Sequence, residues 1–76
     1  MPELRNIRPR QAIAALERAR GIRRNSGRGD HVNIKMPNGQ IVTFSGTREP
    51  IKIGLLKAML RKVGLSEDEF VRLLGE

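Results

Sequence analysis

The sequence contains no cysteine, tryptophan or tyrosine, and its only aromatic side chains are two phenylalanines. Without cysteine, neither a disulfide nor a thiolate-bound metal can supplement the hydrophobic core. A single histidine argues further against a structural zinc site, and we predict no metal and no other cofactor. The scarcity of aromatic rings argues against recognition of nucleic-acid bases by stacking.

Long apolar runs are also missing from the chain. No segment reaches the length of a membrane-spanning helix or of the core of a signal peptide. The absence of cysteine fits a reducing compartment. We therefore predict a cytoplasmic protein that does not associate with a membrane.

Positive charge is what the sequence has in excess. Fifteen lysines and arginines stand against eight acidic residues, which gives a formal net charge of +7. Such an excess predicts a polyanionic partner, most often a nucleic acid and less often an acidic protein. The length predicts one domain over residues 1–76, with a partly ordered arm at 1–8 whose Leu4 and Ile7 can pack against the core.

Apolar periodicity predicts a helix near each end of the chain. The first runs from Pro9 to Arg20, and Gly21 is placed to end it through a left-handed cap. The second ends at Gly64 and carries a broad apolar stripe that we expect to be core throughout. The residues of that stripe are Leu55, Leu56, Met59, Leu60 and Val63.

A short third helix is predicted at residues 67–74. Ser66 and Glu69 have the spacing of a capping box, with serine at the N-cap and glutamate three residues later. We expect this helix to turn its apolar residues inward: Phe70, Val71 and Leu74.

Three strands are predicted between the two main helices, at 22–25, 30–36 and 40–45. Asn38-Gly39 between the last two is a strong hairpin signal. Only one face of each strand is apolar, so both main helices must cover the same face of the sheet. The sequence therefore predicts an α+β fold with two layers, α-β-β-β-α, a three-stranded antiparallel sheet and a short extra C-terminal helix.

The only histidine lies at the start of the middle predicted strand. Alternation places His31, Asn33 and Lys35 on the polar face of that strand, opposite Val32 and Ile34. An imidazole that titrates near neutral pH then lies beside a lysine on the solvated side of a cationic protein. The pattern is compatible with a catalytic histidine and also with an ordinary surface histidine.

Three segments together carry a resemblance to a known family. They are the helix end from Leu16 to Ile22, the turn Gly29-Asp30-His31 into a strand, and the helix from Gly54 to Leu65, which fits Gly-x-Leu-x-x-(Ile/Met)-Leu-x-x-x-Gly-Leu. In combination they resemble the HicA toxin family, small bacterial and archaeal ribonucleases that act on messenger RNA. The resemblance extends over about residues 9 to 70.

The resemblance implies a fold like the double-stranded-RNA-binding domain, cleavage of RNA, and a partner antitoxin of the HicB type. The catalytic residue that it carries over falls on His31. A homodimer and a toxin–antitoxin hetero-oligomer are both compatible with it. Two positions depart from the family pattern: Asp30 replaces a small residue, and Ser-Gly-Thr at 45–47 replaces proline and basic residues.

Cleavage of RNA by its own 2′-hydroxyl needs no metal, but it needs a base, an acid and positive charge near the phosphate. His31 can serve as base or acid, and water, a lysine or His31 of a second subunit would supply the other group. The nearby cations are Arg23, Arg24, Arg28 and Lys35. Contacts of this kind are directed at the RNA backbone and depend on salt.

Two further segments are candidate phosphate contacts. Gly29 belongs to a glycine-rich basic stretch at 26–29, which can cradle a phosphate or be a plain solvated loop. Lys52 and Lys57 lie near the start of the second main helix, where the double-stranded-RNA-binding fold approaches phosphates.

The leading hypothesis is a metal-independent ribonuclease toxin that is held inactive by its antitoxin. A non-catalytic RNA-binding module of the same fold is the first alternative. The second is a protein-interaction subunit whose basic surface docks an acidic partner.

Overall fold

The computed structural model describes residues 4–25, 31–45 and 49–75. In these ranges the structure is α+β, with one three-stranded antiparallel sheet in the order β1-β2-β3 and three helices. The coarse fold class and the short third helix are as predicted. The elements in chain order are α1 (Pro9–Arg18), β1 (Ile22–Asn25), β2 (Val32–Lys35), β3 (Ile41–Phe44), α2 (Ile53–Val63) and α3 (Glu67–Leu74).

The sheet has one buried and one open face, as its sequence alternation predicts. Ile34 in the central strand pairs with Val42 of β3, and both side chains are buried. Lys35, the next residue, is exposed. The buried face packs into one core with apolar residues of all three helices.

Strands β2 and β3 are shorter than the predicted 30–36 and 40–45. Pairing with β1 ends where Asn25 lies opposite Val32, and Met36 and Gln40 already belong to the hairpin. The hairpin itself is confirmed. Gly39 has a φ of 88° and donates its N–H to the Met36 carbonyl at 2.9 Å.

The segment before α1 is part of the core. Leu4 and Ile7 are buried, and the Ile51 N–H donates to the Ile7 carbonyl at 2.7 Å. The expectation that these two apolar residues pack inward is therefore confirmed. Residues 1–3 of the predicted arm lie outside the described residues.

The end of α1 differs from the prediction. The helix ends at Arg18, and the left-handed residue is Arg20, with a φ of 73°, rather than Gly21. The Arg20 N–H donates to the Glu17 carbonyl at 3.1 Å, and the Gly21 N–H donates to the Leu16 carbonyl at 2.8 Å. This pair of bonds is a Schellman motif, which satisfies the carbonyls of the last turn.

Gly21 is required for a different reason, namely space. A Cβ atom at this position would lie 2.6 Å from Cγ2 of Ile34 and 2.7 Å from the carbonyl oxygen of Leu16. The glycine lets the chain leave α1 and pass directly against β2. The prediction of a left-handed glycine was therefore wrong, although glycine is the residue that this position needs.

Helix α2 ends as predicted but buries less of its stripe than expected. Gly64 has a φ of 75°, and the Leu65 N–H donates to the Leu60 carbonyl at 3.0 Å. Leu55, however, is 66% exposed, so its assignment to the core was wrong. The buried residues are Leu56, Leu60 and Val63, which recur every three or four positions and form a single helical face.

Helix α3 begins with the predicted cap. The Glu69 N–H donates to Ser66 Oγ at 3.1 Å, and Ser66 Oγ donates in turn to Glu69 Oε1 at 3.2 Å. Phe70 is fully buried, and Val71 and Leu74 are half-buried. The predicted bounds and inward face of this helix are confirmed.

Candidate nucleic-acid interface

The open face of the sheet carries a polar row that crosses all three strands. Arg24 of β1, Asn33 of β2 and Thr43 of β3 lie opposite one another in the register. Thr43 Oγ1 donates to Asn33 Oδ1 at 2.8 Å, which fixes the two uncharged side chains. The row therefore presents one guanidinium beside a pre-ordered pair of hydrogen-bonding groups.

A second row on the same face has a cation between two apolar side chains. Lys35 lies opposite Ile22 on one side and Ile41 on the other. Ile22 is 65% exposed and Ile41 is 41% exposed. The open face is thus basic and partly apolar.

His31 is exposed and immediately precedes β2. It lies one residue outside the strand, whereas the predicted strand included it. Two residues of extended chain span roughly 7 Å, so His31 is about one side-chain length from the row that contains Asn33.

The structure separates the arginines that follow α1. Arg23 pairs with Ile34, and it therefore lies on the opposite face of β1 from Arg24. It is nevertheless exposed, because β1 is an edge strand. Only Arg24 and Lys35 of the predicted contacts share the open face. Arg28 and Gly29, together with Asp30, lie outside the described residues.

Lys52 and Lys57 belong to the helical layer of the molecule. Lys52 is the N-cap residue of α2, where no side-chain cap bond is made and the first turn carries no acidic residue. The free N–H groups of a helix start favour anions, and a lysine beside them adds to that positive end. Lys57 is exposed one turn further along. Apart from Arg23, the candidate RNA contacts that the structure describes thus form two groups, one on the open sheet face and one on α2.

A groove of about 560 Å³ lies between β3 and α2, and sequence reasoning missed it. On the strand side it touches the consecutive residues Val42 to Ser45. Consecutive strand residues point to opposite faces, so a groove that touches all four runs along the free edge of β3. On the helix side it is lined by residues spaced as one face of α2: Leu55, Ala58, Met59 and Lys62.

The sequence held a signal for this groove. The apolar stripe of α2 is wider than one packing face, because it contains leucine at two consecutive positions, Leu55 and Leu56. Successive helix residues are rotated by about 100°, so both cannot face the same neighbour. Leu56 is fully buried, whereas Leu55 lines the groove.

A smaller cleft of about 340 Å³ lies between the end of α1 and α3. Three arginines and one acid line it: Arg18, Arg20, Arg72 and Glu69. Nη1 of Arg18 donates to the Leu73 carbonyl at 2.6 Å, near the end of α3. A cation at a helix C-terminus is stabilising, so the structure gives Arg18 a role in joining the two helices.

Comparisons with protein-family models, with curated proteins and with solved structures find no match to this chain. Within residues 4–25, 31–45 and 49–75, no three His, Cys, Asp or Glu side chains converge as a metal site. None of the helices described is both long and apolar enough to span a membrane.

Proposed function

We propose that this protein is the toxin of a toxin–antitoxin system, an endoribonuclease that cleaves messenger RNA in the cytoplasm. In this proposal it has a fold like the double-stranded-RNA-binding domain and is neutralised by a HicB-type antitoxin. The resemblance of its helix, histidine-turn and Gly-Leu motifs to the HicA family supports the proposal. The α-β-β-β-α order of its first five elements is compatible with that fold.

The observation that carries the proposal is the position of His31. His31 is exposed and immediately precedes β2, the strand that carries Lys35 beside Arg24 of β1 on the open face. In the proposed reaction a base removes the proton of the RNA 2′-hydroxyl, and the 2′-oxygen bonds to the adjacent phosphorus. The bond from phosphorus to the 5′-oxygen breaks, and an acid protonates the leaving oxygen. The products are a 2′,3′-cyclic phosphate and a 5′-hydroxyl.

His31 can take either proton-transfer role, because an imidazole nitrogen can accept a proton as a base and donate one as an acid. The two cations of the open face stabilise the negative charge that develops on the phosphorane oxygens. Lys35 is the cation of the strand that His31 immediately precedes, and water, this lysine or His31 of a second subunit supplies the other proton transfer.

A non-catalytic RNA-binding module is the second candidate. The observation that favours it is the single histidine of the sequence, since one imidazole cannot act as base and acid in the same step. Such a module would use the same basic face and bind RNA with strong salt dependence.

Purified parent and His31→Ala proteins, incubated with end-labelled messenger RNA and a chelator, distinguish the two. We expect cleavage by the parent and a loss of about 100-fold or more in the variant, the usual contribution of a general acid or base. RNA affinity should change by less than about twofold, because a single side-chain contact contributes little beside the phosphate contacts.

Gln40→Ala is the matched control, since Gln40 is a similarly exposed polar residue at the opposite, hairpin end of β2 and β3. It should cleave at the parental rate. Equal cleavage by parent and His31→Ala would refute the catalytic role. Binding by both with cleavage by neither would establish the module instead. Growth arrest on induction in bacteria, relieved by the neighbouring reading frame, tests the toxin assignment separately.

A further inference from the structure

The outer edge of β3 has open backbone groups. Met36 donates its N–H to the Gln40 carbonyl at 2.8 Å, so Met36 and Gln40 form a hydrogen-bonded pair. Alternation along an antiparallel ladder then turns the N–H and C=O of Ile41 and Thr43 away from β2. In the part of the chain that the structure describes, no backbone bond joins β3 to anything but β2. An edge of this kind is a template for another strand.

The groove beside this edge is held open at both ends. Before α2 begins, the Ile51 N–H is bound to the Ile7 carbonyl. Near the end of α2, Asn38 Nδ2 donates to the Lys62 carbonyl at 3.0 Å and ties the helix to the hairpin. The first bond thus joins the segment before α2 to the segment before α1, and the second joins α2 to the hairpin.

The lining of the groove favours a protein segment over a nucleic acid. Leu55 is 66% exposed there, and the half-buried Met59 lies one turn further along. Apolar side chains of a partner would bury both, whereas a sugar–phosphate backbone would leave them without apolar contacts. Phe44, the one aromatic residue in the lining, is itself buried and offers no stacking surface.

The charged residues that line the groove indicate an acidic partner segment. Lys52 and Lys62 lie at the two ends of the α2 side of the groove, and Glu49 is the one acid among the lining residues. The lysines are ten helix residues apart, a rise of roughly 15 Å. An extended chain covers that distance in about four to five residues. Two carboxylates four positions apart on one face of a strand match the spacing of the two lysines, and an apolar side chain midway between them matches Leu55 and Met59.

We propose that this groove binds an extended segment of a partner protein as a fourth strand beside β3. The segment has two acidic residues four positions apart and an apolar residue midway between them. Main-chain bonds to Ile41 and Thr43 provide the attachment, and the lysines and Leu55 provide selectivity, as in other cases of strand addition. The inference does not depend on RNA cleavage, since a protein inactive on RNA can bind such a segment.

The test is an NMR titration of the ¹⁵N-labelled full chain with the capped synthetic peptide Thr-Glu-Thr-Val-Thr-Glu-Thr at low salt. We expect saturable shifts confined to the amides of β3 and α2, and slower hydrogen exchange at Ile41 and Thr43. A helix bound in the groove would not slow exchange at those two amides. The same peptide with lysine in place of both glutamates should give no saturable shift.

Leu55→Glu should weaken binding of the peptide by about tenfold or more, because it places a carboxylate where the apolar residue docks. Ile22→Glu is the matched control, since Ile22 is 65% exposed, lies on the far edge of the sheet and should leave the affinity within about twofold. Lys62→Glu should weaken binding and Lys57→Glu should not, because only the first lysine lines the groove.

Three results would overturn the inference. The first is the absence of saturable shifts, or equal affinity of parent and Leu55→Glu. The second is a concentration-dependent dimer, measured by sedimentation, that Leu55→Glu dissociates, because the occupant is then a second copy of the chain. The third is an RNA oligonucleotide that shifts the same amides and competes with the peptide.

Discussion

The two halves of this small core are packed to different degrees. On one side α1, β2 and α3 form a closed half, in which Ala12, Leu16 and Phe70 have no exposed surface. On the other side α2 and β3 form an open half, in which Leu55 is 66% exposed beside a groove of about 560 Å³. Both halves share the same sheet, so the difference lies in how closely each helix approaches it.

The small side chains of α1 explain why the closed half is tightly packed. The alanines of α1 and the missing side chain at Gly21 let the backbones of α1 and β2 approach closely. Helix α2 has larger residues at its sheet-facing positions and is fastened to the rest of the fold near its two ends. Both halves therefore contribute buried side chains to the core, but the open half also keeps apolar surface available for a partner.

The difference between the two halves is tested most strongly by alanine substitutions at two neighbouring leucines of α2. Leu56→Ala should lower the free energy of unfolding by about 3 kcal/mol, because it leaves a cavity at a fully buried site. Leu55→Ala should cost less than about 0.5 kcal/mol, because that side chain is mostly solvated. Urea unfolding followed by circular dichroism measures both values. A similar loss for the two variants would show that the groove is closed in solution.

Much of this fold could be predicted from local sequence rules. The Ser66–Glu69 cap, the left-handed Gly64 and the Asn-Gly hairpin depend on neighbouring residues alone, and each was identified. The sheet-face polarity followed from alternation of period two. Errors arose where tertiary packing decides, as at Leu55, whose exposure depends on the distance between α2 and β3, and at Gly21, whose role depends on Ile34.

The candidate site was less accessible to sequence reasoning. The exposure of His31 could be predicted, but the division of Arg23 and Arg24 between two faces needs the register of β1 against β2. The groove was missed, because it is made by the space between two elements rather than by a motif. Double leucine at Leu55 and Leu56 was its one sequence signal.

The two halves can also be compared by substituting alanine for one glycine in each. Gly21→Ala should destabilise the protein by about 2 kcal/mol, because the new methyl group meets a backbone carbonyl at 2.7 Å and forces the chains apart. Gly54→Ala, in the first turn of α2, meets nothing within 4 Å and should stabilise it by about 0.5 kcal/mol through the lower entropy of the unfolded chain. The denaturant midpoints of the two variants, compared with that of the parent, show whether each substitution raises or lowers the stability. A stabilising Gly21→Ala would mean that α1 and β2 are not in close contact.

The smallest expected effect concerns the helix ends, where the two halves use one motif with different residues. Arg20 at the end of α1 has a φ of 73°, and Gly64 at the end of α2 has a φ of 75°. A left-handed conformation destabilises a non-glycine residue by roughly 1 kcal/mol. Substitution by glycine removes this strain, but part of the gain in stability is lost because glycine raises the conformational entropy of the unfolded chain. Arg20→Gly should therefore stabilise the protein by about 0.5 kcal/mol, and Gly64→Ala should destabilise it by a similar amount, about 0.5 kcal/mol. Arg20→Ala, which removes the side chain but keeps the strained backbone, is the control and should not stabilise. If Arg20→Ala stabilises as much as Arg20→Gly, repulsion among the arginines around the small cleft, and not backbone strain, is the cost at this helix end.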